Sequence, residues 1–491
     1  MFKDLRRLLN ETAVYGLSTV AGRFLNLLLL PLYTHALAPA DYGVAAILFS
    51  YLAFLNVVYG CGMDFALMRY WRERGDTASP EVFSTAFFPL GSLAAAFSAL
   101  VYLGAGPLAR MLGHSSIGAS LWRLASVILA LDALALLPFA SLRMRHRPAL
   151  FAAIKIVNIA LNLILSYVFL LRWGLGVKGV FWAALATSAV TVALLIPVIV
   201  AQCRPVFDAA VFKKLLRFGL PLVPAGLASA VVNVADRPIL AAYTNDATVG
   251  LYQANYRLGV VMMLLVGMFD MAFKPFFIEQ EAKEGSRQTL ARVLTYFVVL
   301  GGTGFLAISL LAGWAVRLRV FGGKPLIHPD YWPGLGIVPI VTLGYLLYGV
   351  YINMIAPATL AHKSERVAYA TAIGAVTNVV FLLILIPRWG IVGAAWATPL
   401  AYLAMAGSLY YWGRALYPVP YEHGRLLHVA AALAGVWALS GLLGLDASGA
   451  HAGLRLGLVL LFPVLLAATG FFKDDERRAF KEWLLSAAPS S

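Results

Sequence analysis

The chain has 491 residues, of which 61% are hydrophobic and 12% charged, with a mean hydropathy of +0.81 and a formal net charge of +15. Soluble domains carry about 25% charged residues, so this composition leaves no water-compatible surface and points to a polytopic membrane protein. The two cysteines, Cys61 and Cys203, fall in or beside apolar runs and read as packing residues rather than a disulfide or metal site.

Residues 1–10 are basic, and the apolar run after them is too long for a cleavable leader. A membrane span needs about 20 mostly apolar residues. Fourteen stretches qualify: 12–36, 42–66, 84–104, 119–140, 149–171, 178–201, 217–243, 249–273, 293–316, 333–360, 366–387, 391–413, 426–444 and 453–472. An even number places both termini on one side. Connections on that side carry 25 Lys and Arg, including Arg69/Arg72/Arg74 and Arg143/Arg145/Arg147, against 8 on the other. The asymmetry predicts cytoplasmic termini. It also accounts for most of the net charge without any ligand, so no nucleic-acid partner is implied. The longest outer loop lies near Arg317–Tyr331, too short for a soluble domain, and Lys473–Ser491 reads as a short amphipathic tail helix.

The chain repeats itself. "HRPALFAAIKIVNIALNLILSYVFLLRWG" and "HKSERVAYATAIGAVTNVVFLLILIPRWG" align at a spacing of 216, pairing His146 with His362, Asn162 with Asn378 and Gly174 with Gly390. The starts of the two halves align at 207, pairing Asn26 with Asn233, Pro31 with Pro238 and Gly43 with Gly250. The fold expected is therefore all-α: a polytopic membrane protein of 14 transmembrane helices in two parallel-repeat six-helix lobes plus two extra helices. The divisions are 1–205, 206–418, 419–473 for spans 13 and 14, and 474–491 for the tail. Parallel repeats of this kind build transporters that alternate access around a site between the lobes.

Charges inside spans are costly and face cavities or partners. Arg23, Lys155, Arg237 and Arg257 fall inside spans and together suggest a cationic central cavity, with Asn26 and Asn233 beside it as further substrate-binding candidates. Arginine's planar fork suits phosphate. Lys155 has a rival role, snorkelling to the surface; Arg123 lies at a span end and reads as interfacial. Pro31 and Pro238 are expected hinges, because each removes a helical hydrogen bond at a matching place. Asp64, Asp132, Asp236 and Asp270 are candidates for ion pairs or for proton or sodium coupling. Asp236 has Arg257 or a helix end as its nearest expected partner, its neighbour Arg237 pointing about a quarter-turn away. Asp270 has Lys274 at i,i+4. Tyr252 and Tyr256 are interfacial anchors or sugar-stacking rings. No catalytic residue, metal site or cofactor is expected, since no P-loop, zinc spacing or nucleophile elbow occurs.

"LLLLPLYTHALAPADYGVAAIL" (27–48) and "ADRPILAAYTNDATVGLYQANYRLG" (235–259) resemble the first- and seventh-span signatures of the bacterial polysaccharide repeat-unit flippases of the Wzx type, and the "RWG" turns resemble their interhelical loops. That family sits in a superfamily with MATE antiporters and lipid II flippases. The resemblance implies a V-shaped exporter in the bacterial inner membrane. It would move an undecaprenyl-diphosphate-linked oligosaccharide between leaflets, with membrane lipids around it and other polysaccharide-assembly proteins as possible partners. Arg23 is then the first-span cation, and Asp236-Arg237 matches the "DR" of the seventh-span signature. The arginine set of the lipid II flippases has no residue-by-residue counterpart, which disfavours a peptidoglycan substrate. A drug/cation antiporter is the alternative, expected to carry an acid-rich cavity. A membrane glycosyltransferase or polymerase would need a large catalytic loop that the chain lacks.

Overall fold

The computed structural model describes residues 27–74, 79–111, 118–280, 285–445, 451–473 and 476. Arg23, Asn26 and most of the expected tail helix lie outside the described residues. Lipid supplies no hydrogen-bond partners, so apolar segments must satisfy their own backbone, and the described chain is helical almost throughout. Eleven of its helices are long and apolar enough to cross a membrane.

The N-lobe comprises α1 (Leu27–Ala36), α2 (Pro39–Gly60), α3 (Met63–Arg74), α4 (Ser79–Leu103), the short α5 (Ala105–Met111), α6 (Ala119–Met144), α7 (Pro148–Tyr167) and α8 (Gly176–Gln202). Pro39 and Pro148 sit in first turns, where a missing N–H costs nothing. Left-handed Cys61 and Gly62 (φ 47° and 65°) separate α2 from α3. A π-helical turn, Val168–Arg172, ends α7.

The C-lobe begins with α9 (Ala209–Gly219), capped by the Asp208 carboxylate, which accepts from the N–H groups of Ala210 and Val211. Then come α10 (Leu222–Val234), α11 (Asp236–Tyr243), α12 (Asp246–Gly259), α13 (Val261–Gln280) and α14 (Ser286–Ala315). A two-stranded hairpin (Arg319–Val320 with Lys324–Pro325) and a 3-10 segment (Pro329–Ile337) lead into α15 (Val338–Leu360) and α16 (Glu365–Leu416). The last helices are α17 (His423–Leu442) and α18 (Ala452–Ala468), which pack on α14; at Gly302 a side chain would meet Leu433 and Phe462.

The expected spans differ in detail from simple rods. The eighth is broken at Val260, between α12 and α13, where Gly259 lies against Val341. The eleventh and twelfth share the 52-residue stretch Glu365–Leu416 and meet at a kink at Gly390 (φ 53°, ψ −126°), which parts it into two helices. At 1.5 Å per residue that is about 78 Å, enough for two passes of a hydrocarbon core about 30 Å thick. Counted as two, and with the shorter α1 and α18, it accommodates the fourteen expected segments.

The repeat is visible in the backbone itself. His146 and His362 are both left-handed (φ 52° and 54°), as are Gly174 and Gly390 (φ 63° and 53°). The turns at the two histidines use the same hydrogen bonds: Arg147 N–H to Leu142 O at 3.0 Å, and Lys363 N–H to Ala358 O at 2.9 Å. A left-handed conformation is uncommon for histidine, so its recurrence at equivalent positions reflects duplicated architecture.

The lobes meet at both ends of a seam. On one face lie the Arg- and Lys-rich turns after α6 and α15; we call it the basic face. There Gly62 lies against Gly219, and Gly226 against Val57. On the opposite face Gly43 of α2 packs directly on the Asp246 carbonyl, and Gly250 of α12 on the Pro39 carbonyl. That face is further tied by His35 Nε2 to Pro325 O (2.7 Å) and by the Tyr331 hydroxyl donating to Leu37 O (2.9 Å).

Candidate substrate cavity between the lobes

Span 7 breaks one turn before its proline. With no N–H at Pro238 the carbonyl of Val234 loses its helical donor, and α10 ends there while α11 begins at Asp236. The interruption is in the hydrogen-bond ladder alone, since Ala235 keeps helical angles (φ −68°, ψ −22°). Asp236 and Arg237 do pair with each other: Arg237 Nη1 donates to Asp236 Oδ1 at 2.6 Å, with side-chain exposures of 3% and 7%. The helical quarter-turn between neighbours does not hold them apart, because Asp236 stands in the first turn, where its Oδ1 also accepts the Arg237 N–H (3.0 Å). Arg237 Nε donates to Gln253 Oε1 (2.8 Å), Nη1 donates to Asn233 O (2.7 Å), and the guanidinium lies 4.2 Å from the Tyr256 ring centroid. The Tyr252 hydroxyl donates to Asp236 Oδ2 at 2.5 Å. Tyr252 and Tyr256 are thus buried members of this pin between spans 7 and 8, not interfacial anchors. Asn233 takes part through its backbone carbonyl; its side-chain amide donates to Ser229 O.

Between the two ends of the seam lies a cavity of about 520 Å³, lined by Tyr33, Tyr42, Ser50, Gln253, Arg237 and Arg257 among others. Among the described residues no carboxylate lines it. Arg257 stands in the last turn of α12, flanked by Tyr33 and Tyr42 at 5.6 and 5.8 Å. Its Nη1 is enclosed, yet has no hydrogen-bond partner among the described residues. The two arginines therefore differ: Arg237 is neutralised and immobilised by Asp236, whereas Arg257 keeps an unsatisfied donor at the cavity. A half-buried cation with an enclosed, unsatisfied donor and no carboxylate beside it favours an anion entering there.

A second cavity of about 490 Å³ lies within the N-lobe and shares Phe49, Asn158, Asn162 and Ala184 with the first. Lys155 faces this cavity rather than the one beside the arginines, its Nζ 4.3 Å from the Phe139 ring centroid. Asp64, Asp132 and Arg143 line it too, and Asp132 Oδ1 accepts from the Ser188 hydroxyl at 2.8 Å. Asp270 is elsewhere, paired with Lys274 at 2.7 Å as the i,i+4 spacing allows. Arg123 lies over Tyr102, 5.5 Å from its ring centroid. Gln253 and Asn158 are contributors that charge-based reasoning passes over, and Arg143, counted above among the loop charges, lines a cavity instead. Lys155, Asn158 and Asn162 follow the i, i+3, i+7 pattern of one helix face, the signal that would have found them.

Residues 35–320 match the family described as polysaccharide biosynthesis protein. The chain belongs to that family. No protein of curated function matches it. Among solved structures it is similar to the lipid II flippase MurJ in an inward closed conformation, with a TM-score of 0.76 and 14% identity, covering 93% of this chain and 98% of that one. It is also similar to an inward-facing multidrug resistance MATE family transporter of the MOP superfamily (TM-score 0.65, 16% identity, 82% and 94% covered). A third similar structure is a MOP superfamily transporter from Pyrococcus furiosus whose binding pocket is described as of reverse polarity (TM-score 0.59, 15% identity, 83% and 95% covered). This family member thus has the two-lobed helical fold of multi-pass membrane transporters.

Proposed function

We propose that the chain flips an undecaprenyl-diphosphate-linked oligosaccharide across the bacterial inner membrane by alternating access, with the basic face and both termini in the cytoplasm. Membership of a polysaccharide biosynthesis family supplies the pathway, and the lobes at 1–205 and 206–418 supply the moving halves. The observation that carries the reading is Arg257: a cation on the wall of an acid-free cavity, with an enclosed donor that no described residue occupies. A diphosphate supplies the acceptors that this site lacks, while the isoprenoid tail stays in lipid. Arg23 and Asn26, in the expected first span, are proposed to add a second cation and a neutral hydrogen-bonding amide. Pro31 and Pro238 act as hinges of the two opening helices. No bond is made or broken in this scheme, so the chain acts as a transporter and not an enzyme.

Alternating access requires that each end of the seam part in turn. The glycine contacts Gly43–Asp246 and Gly62–Gly219 are the places where it would do so. Proton or sodium coupling is assigned to Asp64 and Asp132, the two candidate acids that line a cavity without a salt-bridge partner at close range among the described residues. The antiporter alternative expects an acid-rich central cavity, and the cavity holding Arg237 and Arg257 has the opposite sign.

The test is export. Arg257→Ala and Arg23→Ala are each expected to abolish surface polymer while the protein remains in the membrane at its normal level. Surface polymer at wild-type levels in both variants would overturn the site assignment.

A further inference from the structure

In a lipid-linked oligosaccharide the first sugar is bonded directly to the diphosphate. A glycan subsite must therefore adjoin the phosphate site, and its walls must suit a neutral polyol rather than an anion. The N-lobe cavity meets both conditions. It adjoins the Arg257 cavity across a shared wall of Phe49, Asn158, Asn162 and Ala184. Its charges are balanced, Asp64 and Asp132 against Arg143 and Lys155, unlike those of its neighbour. The remaining polar groups are amides and hydroxyls: Asn158 Nδ2 donates to Thr191 Oγ1 at 2.7 Å, and Ser188 donates to Asp132. Such groups both donate and accept, as sugar hydroxyls do, and about 490 Å³ falls within the range of ligand sites.

The repeat provides an internal contrast. Asn378, the counterpart of Asn162 in the second lobe, is 1% exposed and sealed within the helix packing. The polar compartment at this position therefore belongs to the first lobe.

Resting on the diphosphate reading above, we propose that the N-lobe cavity is the glycan subsite: it holds the sugars proximal to the diphosphate through Asn158, Asn162, Thr191 and Asp132, with the diphosphate at Arg257. The lobes then divide recognition, the C-lobe arginine taking the charge and the N-lobe the carbohydrate.

Two probes separate these roles in the full-length protein in lipid nanodiscs. One is bare undecaprenyl diphosphate. The other is the lipid-linked oligosaccharide extracted from source cells deleted for this chain, which accumulate it if flipping is its function. Wild type is expected to bind the glycosylated probe about tenfold more tightly than the bare one, the equivalent of about 1.4 kcal/mol. Ser188→Ala combined with Thr191→Val, at groups that line only the N-lobe cavity, should bring that ratio to within about twofold of one. So should Ala135→Phe, which fills the compartment but keeps its hydrogen-bonding groups. Binding of the bare probe by each variant reports a folded site. No preference in wild type, or a preference that survives both variants, would overturn the glycan subsite. Failure of wild type to bind either probe, or unchanged binding in Arg257→Ala, would overturn the diphosphate reading instead.

Discussion

Gly43→Ala adds one methyl group where two backbones touch. A Cβ at Gly43 would lie 2.7 Å from the Asp246 carbonyl carbon and 3.0 Å from the Gly250 nitrogen, and closer still to the Asp246 oxygen; ordinary contact begins at 3.4 Å. The obstruction is backbone on both sides, so no side chain can swing away. The two helices must separate by at least about 0.7 Å at the carbonyl carbon, the difference between those distances. Overpacking of this kind costs about 1–3 kcal/mol. Since 1.4 kcal/mol is a factor of ten, closure of this face should weaken by about 5- to 150-fold. Thermal stability need not fall equally, because the strain is relieved when the face opens. Spin labels at Ala40 and Thr244, both exposed at this end of the seam, would read the change. Gly43→Ala should lengthen their distance distribution and reduce export at least fivefold by this arithmetic. A distribution and an export rate both equal to wild type would show that these helices do not part at this contact, and the alternating scheme would lose its gate.

Arg237→Ala should behave differently from Arg257→Ala. It strands a carboxylate that is 2% exposed and costs about 3–5 kcal/mol of stability; a melting temperature unchanged in detergent would refute the pin between spans 7 and 8. Arg257→Ala, lacking such a partner, should leave the melting temperature within a degree or two of wild type while binding of undecaprenyl diphosphate is lost. At the basic end of spans 13 and 14, burial raises the Glu422 carboxyl, but Lys473, Thr295 and Arg425 outweigh it and hold it below its usual value of 4.5. Glu476 is likewise held down, against burial, by the Lys473 backbone N–H and by Arg425 (2.8 Å). Depressed carboxyls stabilise above their unfolded pKa and lose that contribution as pH falls through the folded one. Hydrogen-exchange protection at the start of α17, measured against the intrinsic exchange rate at each pH, should therefore diminish as pH drops below about 4.5, and Arg425→Gln should flatten that dependence. If a proton or sodium gradient drives turnover, collapsing it should stall flipping in reconstituted vesicles; an unchanged rate would refute coupling through Asp64 and Asp132.

Spans and the repeat were legible because each depends on short-range chemistry. Twenty apolar residues must become a helix in lipid, and a proline removes its hydrogen bond in any context. The Asp236–Arg237 pairing was not legible, because helix geometry sets neighbours about a quarter-turn apart and the contact depends on how the long Arg237 side chain folds back to Asp236 Oδ1 and Asn233 O. Lys155 was placed beside the central arginines on charge alone. Its actual cavity depends on α7 packing against α6 and α8, a tertiary fact marked in sequence only by the spacing of Asn158 and Asn162. The break at Val260 had no clear local cue, since Gly259 is tolerated in many helices and matters here through its contact with Val341.

What the halves share and what they do not divides along functional lines. Pro31 and Pro238, His146 and His362, and Gly174 and Gly390 occupy equivalent positions, and the glycine pair of the repeat, Gly43 and Gly250, meets itself across the seam on the face opposite the basic turns. The histidines and glycines shape the backbone as left-handed turns and a close crossing, and the prolines are the proposed hinges. The charged groups follow no such symmetry. Asp236 and Arg237 align with Leu29 and Leu30, and Asn162 opens into a cavity where Asn378 is sealed. A substrate with a charged end and a neutral end cannot be bound by two identical walls, whereas a gate that rocks about an axis between the lobes works best when its two sides bend alike. Duplicated bends with dissimilar walls are the arrangement that such a cargo requires.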